Sequence, residues 1–310
     1  MAQVVITEFM DDAAVTDLKR DYEVMYDSQL VERADALASH VRSALALIVR
    51  NRTRVRRDLL DAATQLKVVG RLGVGLDNID VETCRARGIE VVHAAGANVL
   101  SVTEYVIAGI LLLTRGAYLA STAVLVGEWP RTRLIGREID GKTLGLIGFG
   151  AIARQVTPRA RALGMQVVAY DPFVTEAEPV WTQLAVARRG LEELLQTSDV
   201  VSLHVPLGDK TRNLIDAQAL GQMKSGAVLI NAARGGVVDE QALVEALRSG
   251  HLGGAMLDVF ETEPLPAGSH FVDVPNLILT PHIAGVTEES NVRVSVTVAA
   301  GVRRVLEEVL

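Results

Sequence analysis

The sequence holds a single cysteine in 310 residues, Cys84, which excludes an intrachain disulfide framework and points to a reducing, cytoplasmic setting. Positive charge is not in excess either. Lys and Arg total 31 against 38 Asp and Glu, a net charge of −7, which gives no support to nucleic-acid binding. No apolar run is long and clean enough to span a membrane. Leu100 to Leu119 comes nearest, but Ser101, Thr103, Glu104 and Arg115 interrupt it, so a long buried or interface helix is expected there. The start, MAQVVITEFMDD, is too acidic and too short in its apolar part for a signal peptide. Repeats of fixed period and low-complexity tracts are absent. What is present, 49% apolar and 22% charged residues, is globular chain long enough for two domains, each with its own core.

The chain is organised around residues 142–171. Thr143 to Ile147 is a short apolar run, as expected of a buried parallel strand. Gly148-Phe149-Gly150-Ala151-Ile152-Ala153 then fits G-x-G-x-x-A, and Ile152, Val156, Ala160 and Leu163 fall at helical spacing before Gly164. A second strand, Gln166 to Tyr170, ends on Asp171. Each part has a physical reason. Gly148 permits the tight turn, Gly150 lets backbone approach a pyrophosphate, and Ala153 allows close packing of helix on strand. The helix N-terminus offers free N–H groups and a dipole to the anion. Asp171 can accept hydrogen bonds from an adenosine ribose, and its charge repels a 2′-phosphate. NAD is therefore expected rather than NADP.

Around this unit, strands and helices alternate. Strands are expected at Gln3–Thr7, Glu23–Tyr26, Ala44–Val49, Lys67–Arg71 and Glu90–His93, with helices between them. After the long apolar helix, Gly127 to Gly141 is an irregular arm carrying Trp129 and Pro130. Beyond Asp171, strands are expected at Val200–Val205, Ala227–Ala232, Gly254–Asp258 and Leu277–Thr280. The last segment, Glu288 to Leu310, is helical, with Val292, Val296, Ala299, Val302 and Leu306 on its apolar face. Such alternation specifies parallel sheets with helices on both faces.

Three polar islands follow strands of the second half, where active-site groups collect. They are Asn231-Ala232-Ala233-Arg234-Gly235-Gly236, Asp258-Val259-Phe260-Glu261-Thr262-Glu263-Pro264 and Thr280-Pro281-His282-Ile283-Ala284-Gly285. An Arg on a glycine-flanked loop can present a bidentate fork to a carboxylate. A His titrates in the range needed to move a hydroxyl proton, and a carboxylate beside it would orient it and stabilise its imidazolium. Singly, each also reads as something plainer: Arg234 as a surface charge, Glu263 as part of a solvated acidic run, His282 as a helix-capping turn residue.

Together, in this order, the motifs resemble the NAD-dependent D-isomer-specific 2-hydroxyacid dehydrogenases. KVVGRLGVGLDNID, GANVLSVTEYVIAGIL and DVVSLHVPL carry the resemblance along the whole chain. It implies two doubly wound α/β domains of Rossmann or flavodoxin-like type. A nucleotide domain, residues 99–285, would be inserted into a substrate domain made of residues 1–98 and 286–310. It further implies that Arg234 binds the substrate carboxylate, with help from the backbone at Val74 and Gly75. His282 would be the acid/base and Glu263 its partner. Asp258 would hold the nicotinamide carboxamide. Pro206, Ala232, Ala233, His282 and Gly285 would line the cofactor site with Gly148, Gly150, Ala151, Ile152 and Asp171. A homodimer formed through the long helix and the arm is implied, and no metal. Ala153 in place of the third glycine and Thr103 in place of a small apolar residue are the departures.

For the substrate, Arg50-Asn51-Arg52-Thr53-Arg54 follows the third strand directly. The phosphoglycerate branch has a similar Arg-x-Arg-Thr, which implies a second anion at C3 near Arg50 and Arg52; a solvated basic patch is the plainer alternative. The stretches VVITEFMDDAAV and GANVLSVTEYVIAGILLLTRG resemble the branch that oxidises (S)-3-sulfolactate to 3-sulfopyruvate. Oxidation of 3-phosphoglycerate and reduction of hydroxypyruvate or glyoxylate are the alternatives within the family. A corepressor-like protein that senses NAD without turnover is the alternative outside enzymology.

Overall fold

The computed structural model describes residues 3–309; residues 1, 2 and 310, which the expected domain limits and the expected end of the last helix include, lie outside the described residues. The chain divides into two units, one formed by the segments up to Asn98 and from Val286, the other by Val99–Gly285.

In the first unit β1 (Val4–Ile6), α1 (Asp12–Leu18), β2 (Val24–Tyr26), α2 (Ala34–Val41), β3 (Ala46–Val49), α3 (Arg57–Ala62), β4 (Val68–Arg71), α4 (Val81–Ala86) and β5 (Glu90–His93) follow one another. The strands form one parallel sheet in the order β2-β1-β3-β4-β5. Successive side chains of a strand point to opposite faces, so each central strand feeds two cores. Ile6, Ile48 and Val68 enter one, and Val5, Leu47, Val49 and Val69 the other, where Leu37, Leu60 and Cys84 cover them. Asp11 starts α1 by accepting the N–H groups of Ala13 and Ala14, and Asp80 caps α4 by accepting that of Thr83.

In the second unit come α5 (Val99–Arg115), α6 (Ser121–Leu125), β6 (Thr143–Ile147), α7 (Ala151–Ala162), β7 (Gln166–Tyr170), α8 (Val180–Gln183), β8 (Ala187–Arg188), α9 (Leu191–Thr197), β9 (Val200–Leu203), α10 (Ala217–Gln222), β10 (Val228–Asn231), α11 (Glu240–Arg248), β11 (Gly254–Leu257) and β12 (Leu277–Leu279). Seven parallel strands run in the order β12-β11-β10-β9-β6-β7-β8. The order reverses beside β6, and in open α/β sheets a ligand binds outside the carboxyl ends of the strands at such a point. The chain then returns to the first unit as α12 (Glu288–Val309), which packs on β4 and β5.

Two expectations need correction. The apolar helix stops at Arg115 rather than Leu119, because Gly116 takes φ 60°, and a 3₁₀ turn over Ala117–Leu119 follows. In α12 the buried set is Val294, Val298, Ala299, Val302, Val305 and Leu306, whereas Val292 and Val296 are about half exposed. Val292 and Val296 sit at helical spacing just as Val294 and Val298 do, so periodicity alone does not choose between the pairs. The sheet chooses: Gly70 on β4 leaves the gap that Val298 and Val302 fill. The departure at Thr103 is accommodated without loss. Its side chain is fully buried, and its hydroxyl donates to the Val99 carbonyl at 2.7 Å.

Candidate active site

The G-x-G turn is built as its chemistry requires. Gly148 has φ 89°, and a Cβ there would lie 2.4 Å from the His204 carbonyl oxygen, so only glycine fits. Over Gly150 nothing lies within 4 Å of where a Cβ would be, and no side chain caps the helix that starts after it. Open space and unclaimed N–H groups at a helix N-terminus together suit a pyrophosphate. Ala153 is fully buried, packed against the sheet beside Val156 and Ala160. At the end of β7, Asp171 accepts the N–H groups of Phe149 and Phe173, both at 2.8 Å, which fixes its carboxylate beside the turn. Its remaining lone pairs can take a ribose diol. Phe149 itself stacks on Trp181 with ring centroids 4.7 Å apart, and Arg154 donates to the Phe149 carbonyl.

The catalytic candidates come from three loops of this same unit. Glu263 Oε2 lies 2.7 Å from His282 Nδ1. A carboxylate at Nδ1 fixes the tautomer in which Nδ1 carries the proton, and Nε2 is left for the substrate. His282 has φ 53°, held there as its N–H donates to the carbonyls of Asp258 and Thr280. Glu263 also accepts the Phe260 N–H at 3.0 Å. Burial pushes the Glu263 carboxyl up, but the hydrogen bonds from His282 and Phe260 and the charges of His282 and Arg234 outweigh it, and its pKa lies below the usual range.

Arg234 follows β10, on a loop that Asn231 closes by donating to the Arg234 carbonyl and accepting the Ala233 N–H, both at 3.0 Å. A Cβ on Gly235 would stand 1.8 Å from the Phe260 carbonyl oxygen. The Arg234 loop and the Glu263 loop therefore interlock through bare backbone, which fixes their spacing. Ala232 and Ala233 are half-buried on the same loop, Pro206 follows β9, and Gly285 closes the His282 loop.

Asp258 is 1% exposed, and its oxygens accept the Thr280 hydroxyl at 2.6 Å and the Ile283 and Ala284 N–H groups at 2.8 Å. It thus braces the turn that carries His282. Several supports had no signal in the motifs. Tyr105 lies 2.6 Å from the Thr280 hydroxyl, and because Thr280 gives its only proton to Asp258, Tyr105 is the donor. Burial, reinforced by the Asp258 charge, raises the Tyr105 pKa to about 12. Glu240, buried at the start of α11, accepts the Glu261 N–H at 2.7 Å, and His270 Nε2 lies 3.1 Å from its other oxygen. His204 lies beside the cofactor turn with Nε2 3.0 Å from the Ser202 hydroxyl, and burial drives its pKa down to about 4.

The remaining candidates belong to the first unit. Val74 is exposed and Gly75 half-exposed, on the loop after β4. Arg50 donates to Asn291 at 2.8 Å and lies over the Phe9 ring, while Arg52 pairs with Glu32 at 2.9 Å. Asn78 donates to the carbonyls of Arg50 and Thr53, which ties the arginine loop to the segment that follows Gly75. Glu8, just beyond β1, accepts N–H groups from the same loop. Neither Asn78 nor Glu8 was singled out from the sequence; Glu8 lies two residues beyond β1, and that strand-end position is the signal that finds it, whereas Asn78, seven residues beyond β4, has no such signal.

Comparison with known proteins bears on the same residues. The model of the NAD binding domain of the D-isomer specific 2-hydroxyacid dehydrogenases matches residues 107–284. The chain is 57% identical over 306 residues to the (S)-sulfolactate dehydrogenase of Chromohalobacter salexigens, covering 99% of both. It is 43% identical over 254 residues to the D-3-phosphoglycerate dehydrogenase of Bacillus subtilis, which is 82% of this chain but only 48% of that longer one. Among solved structures, D-lactate dehydrogenase from Aquifex aeolicus, complexed with NAD and lactic acid, is similar with a TM-score of 0.86 and 30% identity, over 98% of this chain and 96% of that one.

Proposed function

This chain belongs to the D-isomer specific 2-hydroxyacid dehydrogenases and is an NAD-dependent oxidoreductase, and on that premise we propose that its substrate is (S)-3-sulfolactate, oxidised to 3-sulfopyruvate. The observation that carries the chemistry is the 2.7 Å contact of Glu263 with His282 Nδ1, on loops interlocked with that of Arg234. The substrate is supported by the similarity to the sulfolactate enzyme over the whole chain.

The residues divide the work. NAD, held at the G-x-G turn and by Asp171, would supply the hydride acceptor for C2. The Arg234 guanidinium takes the carboxylate and polarises the C2 oxygen. His282 Nε2 accepts the hydroxyl proton as the hydride leaves, and Glu263 stabilises the resulting imidazolium through Nδ1–H. In the reverse direction the same proton returns to the carbonyl oxygen. Gly148, Gly150, Ala151 and Ile152 serve the pyrophosphate, Asp171 the adenosine ribose, and Pro206, Ala232, Ala233 and Gly285 line the cofactor site. Asp258, while bracing the His282 turn through three accepted hydrogen bonds, keeps a lone pair on Oδ2 for the nicotinamide carboxamide. The amides at Val74 and Gly75 are assigned to the carboxylate, and Arg50 and Arg52 to a second anion. The similarity to D-3-phosphoglycerate dehydrogenase makes 3-phosphoglycerate the runner-up.

We place the chain in a homodimer. Leu125, Val126, Trp129 and Ile135, on the segment that follows α5, are each more than 70% exposed, and large apolar side chains so exposed suit an interface. Among the described residues no helix is long and apolar enough to cross a membrane. The lone thiol of Cys84 is buried, which suits a reducing, cytoplasmic setting. The reading is tested by following NADH formation when the purified protein meets (S)-3-sulfolactate and NAD. Sustained turnover supports it; NAD binding without turnover of any D-2-hydroxy acid would instead favour the sensor reading.

A further inference from the structure

We infer that Glu8, with a smaller contribution from Glu32, sets the arginine loop after β3 to prefer a second anion of single charge, a sulfonate, over a dianionic phosphate. The inference rests on the reading above, in which Arg50 and Arg52 receive that anion.

Three amides of the loop are already used. Glu8 is 4% exposed; its Oε1 accepts the N–H groups of Arg50 and Thr53 at 2.9 Å, and its Oε2 that of Arg52 at 3.0 Å. Three amides converging on one carboxylate form the kind of cradle that would otherwise seat a phosphate. On the acceptor side, Asn78 takes the carbonyls of Arg50 and Thr53. Thr7 completes the frame, its hydroxyl 2.8 Å from that of Thr53. A ligand anion is therefore denied those three amides, and the guanidinium groups of Arg50 and Arg52 are the charged donors that remain.

Those groups are themselves counterbalanced. Burial lowers the Arg50 pKa while the Glu8 charge pulls the other way, so Glu8 is an electrostatic partner of that guanidinium as well as of the loop's amides. Arg52 Nη2 lies 2.9 Å from Glu32 Oε1. Each guanidinium has five donors, so the pairs keep hydrogen bonds to give even though their net charge is reduced. A sulfonate brings one negative charge. A phosphate monoester brings roughly 1.5 to 2 at neutral pH and must sit near the same two carboxylates, where like charges repel. Glu8 matters more because it is buried, whereas both partners of the Arg52–Glu32 pair are about half exposed and screened by salt.

The test compares kcat/KM for (S)-3-sulfolactate, 3-phosphoglycerate and D-glycerate, which lacks the second anion, in the wild type, Glu8→Gln and Glu32→Gln. Glu8→Gln retains an acceptor oxygen for part of the cradle, and Glu32→Gln, at an exposed site, keeps the question answerable if the buried change disturbs folding. Glu8→Gln should shift the phosphoglycerate-to-sulfolactate ratio toward phosphate by roughly three- to tenfold, the order set by one nearby charge in partly screened surroundings, and Glu32→Gln by less in the same direction. A merely structural role would lower both doubly anionic substrates together and leave the ratio in place. An unchanged ratio in both variants, with a wild type that prefers sulfolactate over D-glycerate, overturns the inference and spares the reading beneath it. A wild type that favours neither doubly anionic substrate over D-glycerate overturns both.

Discussion

At the scale of single residues, the proposal that His282 and Glu263 move the proton makes the sharpest demand. His282→Ala should lower kcat by roughly 10²–10⁴ with NAD affinity little changed, because the imidazole serves the substrate rather than the cofactor. Glu263 carries a pH signature. Its folded-state pKa lies below the ordinary 4.5, so what its anion contributes is fully present above that value and is lost as pH falls through the lowered one. Pre-steady-state and steady-state rates of Glu263→Gln should lack that acid limb; an identical limb would assign it elsewhere. His204 shows the same sign in a higher window. Its pKa falls from 6.5 to about 4 on burial, so between those values the unfolded chain binds the extra proton and stability declines as pH drops. Thermal melts of His204→Gln should show a weaker dependence on pH across that window, and an unaltered dependence would mean that His204 is not what causes it. Arg234, Glu263 and His282 were legible because each stands in a motif at a strand end. Tyr105 and Glu240 were not: they act through hydrogen bonds to residues 175 and 21 positions away, and no local pattern encodes such a partner, while Glu8 had only its place just beyond β1.

At the scale of elements, hydrophobic runs announced the central strands, since a strand covered on both faces has no polar side to obscure it. The segment from Phe173 to Ser198 was silent, as α8, β8 and α9 span only four, two and seven residues. The end of α5 carried its own signal in Gly116, which a longer apolar run masked. The face of α12 needed the sheet beneath it, and that contact can be tested. A Cβ at Gly70 would meet Val298 Cγ1 at 2.7 Å, Val302 Cγ2 at 2.9 Å and Ile48 Cγ1 at 3.3 Å. Gly70→Ala should destabilise the protein by about 1–3 kcal/mol through overpacking. Adding Val298→Ala should recover part of that loss, since it removes the nearest methyl group. Denaturant midpoints of the two single variants and the double variant measure it, and strict additivity would show that the two sites do not meet.

At the scale of the whole molecule, the proposed homodimer rests on the exposed apolar side chains Leu125, Val126, Trp129 and Ile135. If they form an isologous interface, Trp129→Glu together with Leu125→Glu should yield a monomer that keeps its secondary structure, as light scattering and circular dichroism would report. A wild type that is already monomeric at micromolar concentration would refute the interface. The central claim concerns what the enzyme oxidises. Its most direct test is kcat/KM of the wild type, with NAD, for (S)-3-sulfolactate against D-lactate. A substrate with a second anion would satisfy Arg50 and Arg52, whereas the methyl group of lactate offers them nothing. Sulfolactate should be turned over far more efficiently, with 3-phosphoglycerate in between. Turnover of D-lactate as efficient as that of sulfolactate would contradict it.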